Sequence, residues 1–224
     1  MKKIVIAIDG PAGAGKSTTA RLVAKKLGYL YIDTGAMYRA VTLKVLLNNI
    51  DELDSTSIDN LLMSSSIELV EDDNLLKVIL DKVDVTEEIR SPRVTNAVSA
   101  VSALENVRKK MVSEQRKLGM NGGVVLEGRD IGTVVFPNAE LKIFLNASIE
   151  ERAKRRGKDL SEAGIFISQD SLSEQLQLRD TKDSTRSISP FKKATDAIEL
   201  DTTLLTLDQQ VEFIVLKAKE IIQS

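Results

Sequence analysis

The sequence predicts an α/β fold: a parallel sheet flanked by helices, carrying a small antiparallel β insertion. Three observations support it. The apolar run Ile4-Val5-Ile6-Ala7-Ile8 ends in Asp9 and leads straight into "GPAGAGKST" (Gly10 to Thr18), followed by an amphipathic stretch to Gly28. Four further short apolar runs recur downstream between helical patterns, the alternation of a doubly wound sheet. Between residues 66 and 86 the period drops to two, as in an antiparallel meander.

Taken in order, residues 3–9 place apolar side chains on both faces, as a buried parallel strand requires. A helix is expected from the end of the glycine-rich stretch to about Leu27, stopped by Gly28. Tyr29 to Ile32 reads as a second strand, and Ala36 to Leu47 is apolar at helical spacing. In the meander, Ile67 and Leu69, then Leu76, Val78 and Leu80, alternate with polar residues. Asp72-Asp73-Asn74 and Asp81-Lys82 supply turns. Helical patterns follow at about 93–118, and Gly119 to Gly123 breaks them. Val124-Val125-Leu126 and Lys142-Ile143-Phe144-Leu145 read as buried strands. Helices are expected at about 148–163, 168–185 and 207–222, with a last strand at Ala197 to Leu200. No repeat, low-complexity tract or long linker divides the chain, so a single domain over 1–224 is expected.

Composition narrows the chemistry. The chain has 224 residues, 42% of them hydrophobic and 29% charged, the profile of a soluble globular protein. The net charge of −2 gives no field favouring nucleic acid or an anionic membrane. There is no Cys, hence no disulfide or thiol chemistry, which fits a reducing, cytoplasmic setting. There is no His either, which removes the commonest general base and metal ligand. No 18-residue apolar run exists to span a membrane. The apolar run after Met1-Lys2-Lys3 is too short for a signal peptide. The chemistry must run on Asp, Glu, Arg, Lys, Ser and Thr.

Gly10 to Ser17 fits G-x-x-x-x-G-K-[ST], placed between a strand and a helix. Small residues let backbone N–H groups converge on phosphates. Gly10, Gly13 and Gly15 allow the tight turn, with Pro11, Ala12 and Ala14 between them. Lys16 brings a positive charge near the β and γ phosphates, Ser17 can ligate Mg²⁺, and the helix start through Thr18 adds its positive end. No N-K-x-D guanine-reading motif accompanies it.

Four further stretches carry polar groups. "DTGAMYR" (Asp33 to Arg39) follows the second strand, at the sheet edge where ligands bind in such folds. It reads either as a ligand contact or as a helix cap with Tyr38 and Arg39 on a surface face. "LEGRDIGTVVF" (Leu126 to Phe136) puts Glu127, Arg129 and Asp130 at the same edge. Glu127 can hold Mg²⁺ through water and Arg129 can fork onto a phosphate; the alternative is a charged strand-end turn. In "RDTKDSTR" (Arg179 to Arg186), Arg179, Asp183 and Arg186 are spaced by four and three. They are expected on one helix face, as a ligand site or a surface ion-pair ladder. "ERAKRRGK" (Glu151 to Lys158) is a solvated basic face or a lid that closes arginines over a transferring phosphate.

In their order and spacing, these motifs and the meander resemble bacterial cytidylate kinase over essentially the whole chain. The resemblance implies a P-loop kinase fold with a nucleoside-monophosphate-binding insertion at about 60–120 and a helical lid at about 150–165. It implies transfer from ATP, with Mg²⁺, to CMP or dCMP. Gly10 to Thr18 would bind ATP. Arg39, Arg129 and Arg186 would hold the acceptor phosphate. Ser99, Arg108 and Asp130 would read the cytosine edge. Arg179 and Asp183 would bind the ribose, with Thr34 and Tyr38 also in the CMP site. Arg152, Arg155 and Arg156 would belong to the lid, and Lys16, Arg129, Arg155 and Arg186 would be catalytic. A monomer is expected, with no nucleic-acid or membrane partner. Rival readings are another small P-loop kinase with a different acceptor, and a non-catalytic nucleotide-dependent switch.

Overall fold

The computed structural model describes residues 2–72, 75–162 and 164–223. The expected turn residues Asp73-Asn74, and Ala163 of the expected lid, lie outside the described residues. The chain divides into two compact units, Met1–Ile32 with Leu118–Ser224, and Asp33–Lys117.

The first unit is built on a five-stranded sheet in the order β2-β6-β1-β7-β8. Its strands are β1 (Val5–Asp9), β2 (Leu30–Asp33), β6 (Val124–Gly128), β7 (Leu141–Asn146) and β8 (Ile198–Asp201). β1 runs parallel to both β6 and β7, and β7 parallel to β8, with Ile6 opposite Val125 and Leu141. β1 and β6 are buried at every position. That is why these segments read as continuous apolar runs and not as alternating ones. Ile4, Ile6, Ile8, Leu126, Ile143 and Leu145 are among the largest fully buried side chains. Burial stabilises by about 1.5–3 kcal/mol for each such side chain.

Among the described residues this unit holds α1 (Lys16–Leu27), α6 (Ile149–Glu162), α7 (Gln169–Thr185) and α8 (Leu207–Gln223). Gly28 ends α1 in the left-handed region at φ 67°, its N–H returning to Ala24 and Lys25. Ser168 caps α7 by accepting from Ser171 N–H. Ala153, Leu172 and Leu176 of α6 and α7 close over Ala12 in an apolar cluster.

The second unit holds α2 (Thr34–Leu47), α3 (Ser55–Met63), the antiparallel strands β3 (Ile67–Asp72), β4 (Leu75–Leu80) and β5 (Val83–Asp84), α4 (Pro92–Val101) and the body of α5 (Glu105–Gly119). The meander is thus present, with Ile67 opposite Leu80 and Leu80 opposite Val83. Its core joins Ala36, Ala40 and Leu43 of α2 to Val78 and Leu80 of β4 and to Ile89 and Val94.

One element differs from the sequence expectation: α3 falls where no helix was expected, capped by Asp54 accepting from Ser57 N–H. The helical patterns at about 93–118 are two helices, α4 and α5. Residues 131–135 form a single π-turn. No helix among the described residues is long and apolar enough to cross a membrane.

Candidate active site

The glycine-rich loop lies between β1 and α1, at the carboxyl end of the parallel sheet. Its shape demands glycine at two points. A Cβ on Gly10 would stand 2.0 Å from the Leu145 carbonyl oxygen. Gly13 has φ +77°, and a Cβ there would meet the Arg152 carbonyl oxygen at 3.0 Å. α1 starts with no side-chain cap. Its first-turn N–H groups and the positive end of the helix suit an anion.

The carbonyls of the loop point at cations. Gly10 O accepts from Arg129 Nη1 at 3.0 Å and Pro11 O from Lys16 Nζ at 2.8 Å. Ala12 O accepts from Arg152 Nη1 at 3.1 Å and Ala14 O from Arg155 Nη1 at 3.3 Å. A trans peptide holds its C=O and the following N–H on opposite sides. Each carbonyl turned outward therefore turns the next N–H the other way. Lys16 is buried, and burial first, then the nearby Arg129 charge, lowers its pKa to about 7.

Ser17 Oγ donates to Glu127 Oε1 at 2.6 Å. Ser17 is exposed and Glu127 buried, so a hydroxyl and a carboxylate stand together at the start of α1. Hard oxygen donors of this kind suit Mg²⁺, which keeps several waters and phosphate oxygens in its shell. Among the described residues no group of three or more His, Cys, Asp or Glu could cage a metal. The donor set fits a cation that arrives with a nucleotide.

β6 delivers Glu127, Arg129 and Asp130 to this edge. Arg129 Nε donates to Asp183 Oδ2 at 2.9 Å, and its guanidinium lies 5.7 Å from the Phe191 ring centroid. Phe191 stacks in turn on Phe144 at 5.6 Å. Asp9, at the end of β1, accepts from Ile131 N–H and Gly132 N–H, both at 2.8 Å. This fixes the π-turn just after Asp130. Burial is the main cause that raises the Asp9 pKa to about 6, against the two N–H groups that lower it.

α7 and its end supply Arg179, Asp180, Asp183 and Arg186. The Arg179 charge is felt at Lys16, where it lowers the pKa. Arg186 is not on the expected helix face. α7 stops at Thr185, Arg186 has extended backbone (φ −63°, ψ 142°), and its Nε donates to Ser189 O at 2.6 Å. On α6, Arg155 is tied to Glu151 Oε1, Ala14 O, Thr202 Oγ1 and Thr202 O. Arg152 is buried, while Arg156 is only partly covered and its charge acts on Asp159.

In the second unit, Asp33 caps α2 by accepting from Ala36 N–H at 2.9 Å. The cap reading of this motif is correct for Asp33. The surface reading is not correct for Tyr38, which is buried, as is Thr34. Arg108 of α5 lies over the Tyr38 ring at 5.4 Å and donates to Ser102 O. Arg39 Nη1 donates to Thr95 Oγ1 at 2.9 Å and to Ile89 O at 3.3 Å. Ser99 lies on α4, two residues after the buried Ala97, and its carbonyl accepts from Ser102 Oγ.

Sequence reasoning passed over Asp9, Asp180, Phe191 and Thr202. Asp9 and Asp180 had a visible signal, a charge closing an apolar strand and an acid beside Arg179. Phe191 and Thr202 had none.

A phosphate loop seated at the edge of a parallel sheet, with lysine, serine and several arginines around it, defines a P-loop phosphotransferase. One solved structure agrees at the level of fold. An uncharacterized protein from Eubacterium ventriosum superposes with a TM-score of 0.50 at 12% identity, covering 97% of this chain and 99% of that one. The particular family follows from the sequence comparison: the chain belongs to the cytidylate kinase family, which residues 6–220 match. Cytidylate kinase of Bacillus pumilus (strain SAFR-032) is 55% identical, over 93% of this chain and 92% of its own. That of Streptococcus suis (strain 05ZYH33) is 52% identical over 99% of each. That of Bacillus subtilis (strain 168) is 50% identical over 98% of this chain and 97% of its own.

Proposed function

We propose that the chain transfers the γ-phosphate of ATP to CMP or dCMP, giving ADP and CDP or dCDP, in pyrimidine nucleotide metabolism. Family membership supports the acceptor. The observation that carries the chemistry is the phosphate loop, whose Gly10, Pro11, Ala12 and Ala14 carbonyls each accept from a different cationic side chain.

The acceptor phosphate has its second pKa near about 6, so at neutral pH it is already a nucleophile. No general base is needed, which suits a chain without His or Cys. The remaining task is positioning and charge neutralisation. Gly10 to Thr18 hold the ATP phosphates and Lys16 meets the β and γ oxygens. Arg129, Arg155 and Arg186 offset the charge that develops on the transferring group. Arg39, Arg129 and Arg186 take the acceptor phosphate, and Arg179 and Asp183 the ribose. Ser99, Arg108 and Asp130 read the cytosine edge, and Thr34 and Tyr38 also bind CMP. Mg²⁺, entering with ATP, would be held by Ser17 with Glu127 behind it and would neutralise phosphate charge. Residues at about 150–165, with Arg152, Arg155 and Arg156, act as the lid that keeps water from the γ-phosphate. The single kinase domain works as a cytoplasmic monomer, with no nucleic-acid or membrane partner.

The test offers Mg-ATP with CMP, dCMP, UMP, AMP or GMP and measures ADP formed. CMP and dCMP are the expected best acceptors. A clear preference for AMP or GMP would overturn the reading. ATP hydrolysis with no acceptor used would favour a nucleotide-dependent switch.

A further inference from the structure

Ala12 is held by one ion pair through the two peptides that flank it, Asp180 on the Pro11–Ala12 N–H and Arg152 on the Ala12–Gly13 C=O. Asp180 Oδ1 accepts Ala12 N–H at 3.2 Å, while Asp180 Oδ2 accepts from Arg152 Nη1. The same Arg152 Nη1 donates to Ala12 O at 3.1 Å, and Arg152 Nε is anchored on Ala147 O at 3.2 Å. Ala12, Arg152 and Asp180 thus close a ring across the loop, α6 and α7. Arg152 and Ala12 are both buried, so the ring is largely shielded from water, where charge-assisted bonds are strongest. The Ala12 carbonyl faces Arg152, so the Gly13 N–H of the same planar peptide faces away from it. Gly13 itself packs against the Arg152 backbone.

Asp180 stands one residue after Arg179 and three before Asp183 on α7. Asp183 pairs with Arg129 by hydrogen bond, and the Arg179 charge is felt at Lys16, whose pKa it lowers. Asp180 reaches the loop backbone directly, through Ala12 N–H.

We propose that Asp180 is a positioning residue of the phosphate loop: with Arg152 it fixes the Ala12–Gly13 peptide so that Gly13 N–H meets bound phosphate. The proposal rests on the nucleotide-kinase reading above. It gives α7 two duties, the acceptor through Arg179 and Asp183, and the donor loop through Asp180.

Calorimetric binding of Mg-ADP without acceptor, and of CMP alone, tests this on the full chain, with thermal melts to report folding. Asp180→Asn removes the charge that holds Arg152 and should weaken Mg-ADP about 10- to 100-fold, the scale of one charge-assisted hydrogen bond. CMP binding should stay within about threefold of the unaltered chain. Arg152→Met should give a similar loss. The double variant should lose no more than the larger single loss, because the two residues act as one unit. Arg152→Lys, a point charge without the guanidinium fork, should recover only part of the affinity. A folded Asp180→Asn protein that binds Mg-ADP normally would overturn the proposal. So would equal weakening of both ligands, the mark of a scaffold role, or additive losses in the double variant. If Asp180→Asn fails to fold, the charge-neutral double variant decides by the same Mg-ADP criterion. Failure of the unaltered chain to bind Mg-ADP at all would instead overturn the nucleotide reading itself.

Discussion

Arg129 Nε donates to Asp183 Oδ2 at 2.9 Å, joining the strand-end motif after β6 to the last turn of α7. Arg129 also donates to Gly10 O, so this ion pair is one step from the phosphate loop. Asp183 is buried and Arg129 nearly so. Removing the carboxylate therefore leaves a sheltered guanidinium without its anion. Asp183→Ala is expected to lower acceptor kcat/KM by roughly 10- to 150-fold, the scale of losing one hydrogen bond to a charged group. The loss should fall on CMP and dCMP alike, since displacement of Arg129 does not depend on the sugar. A defect on CMP alone would instead point to the 2′-hydroxyl as the partner of Asp183. Steady-state kinetics with both acceptors at saturating ATP separates these. An unchanged acceptor kcat/KM, or a defect confined to the ATP KM, would remove Asp183 from the site.

Lys16→Ala is expected to cut turnover by roughly two to four orders of magnitude while the protein still folds. The lysine is buried and its pKa is lowered from 10.5 to about 7, so the ligand-free fold tolerates its charge poorly. A lysine with a depressed folded pKa makes stability rise with pH between about 7 and 10.5, where the unfolded chain binds more protons. At pH 7 and below, replacing it removes a cost. The melting temperature of the variant should therefore hold or rise as turnover collapses. Near-normal turnover in a folded variant would show that the loop is not catalytic.

The parts of this architecture that were legible in the sequence are those governed by local pattern. Val5–Asp9 and Val124–Gly128 are buried on both faces, so each announced itself as an apolar run. α6 and α7 begin within about a residue of where periodicity and capping set them, because Ser168 supplies a local cap. α3 was not legible from apolar spacing. Its nine residues bury only Ile58 and Leu62, and the cap Asp54 was its one strong signal. The boundary between α4 and α5 was not legible, because Ser102 to Leu104 contain neither Gly nor Pro. The site was half legible for a related reason. Spacing on a helix suggests partners three or four residues away, so Asp183 read as a companion of Arg179 and Arg186. Its actual partner is 54 residues away on another element, and that of Asp180 is 28 away. The π-turn at Ile131–Val135 depends on a carboxylate more than a hundred residues upstream, which no local pattern contains.

That carboxylate, Asp9, gives a pH signature. Its folded pKa of about 6 lies above the ordinary 3.8, mainly because burial disfavours the charge. The sign follows from proton binding. Between pH 3.8 and 6 the folded chain binds the Asp9 proton more tightly than the unfolded chain does. The contribution of Asp9 to stability is thus fully present below pH 3.8 and is lost as pH rises through about 6. Other carboxylates shift the opposite way, Asp81 and Glu114 among them, so total stability against pH does not isolate Asp9. A non-titrating replacement does. Asp9→Asn keeps one acceptor oxygen but turns its amide toward one of the two N–H groups of Ile131 and Gly132, so it should be less stable overall. The informative quantity is the gap in unfolding free energy between the two proteins, from denaturant titrations at several pH values. Between pH 5 and pH 7 the unaltered chain should lose about 1 kcal/mol relative to the variant. A gap that stays constant over that range would mean that Asp9 is already ionised at pH 5 in the folded chain. A gap that widens with pH would mean that its two N–H donors outweigh its burial.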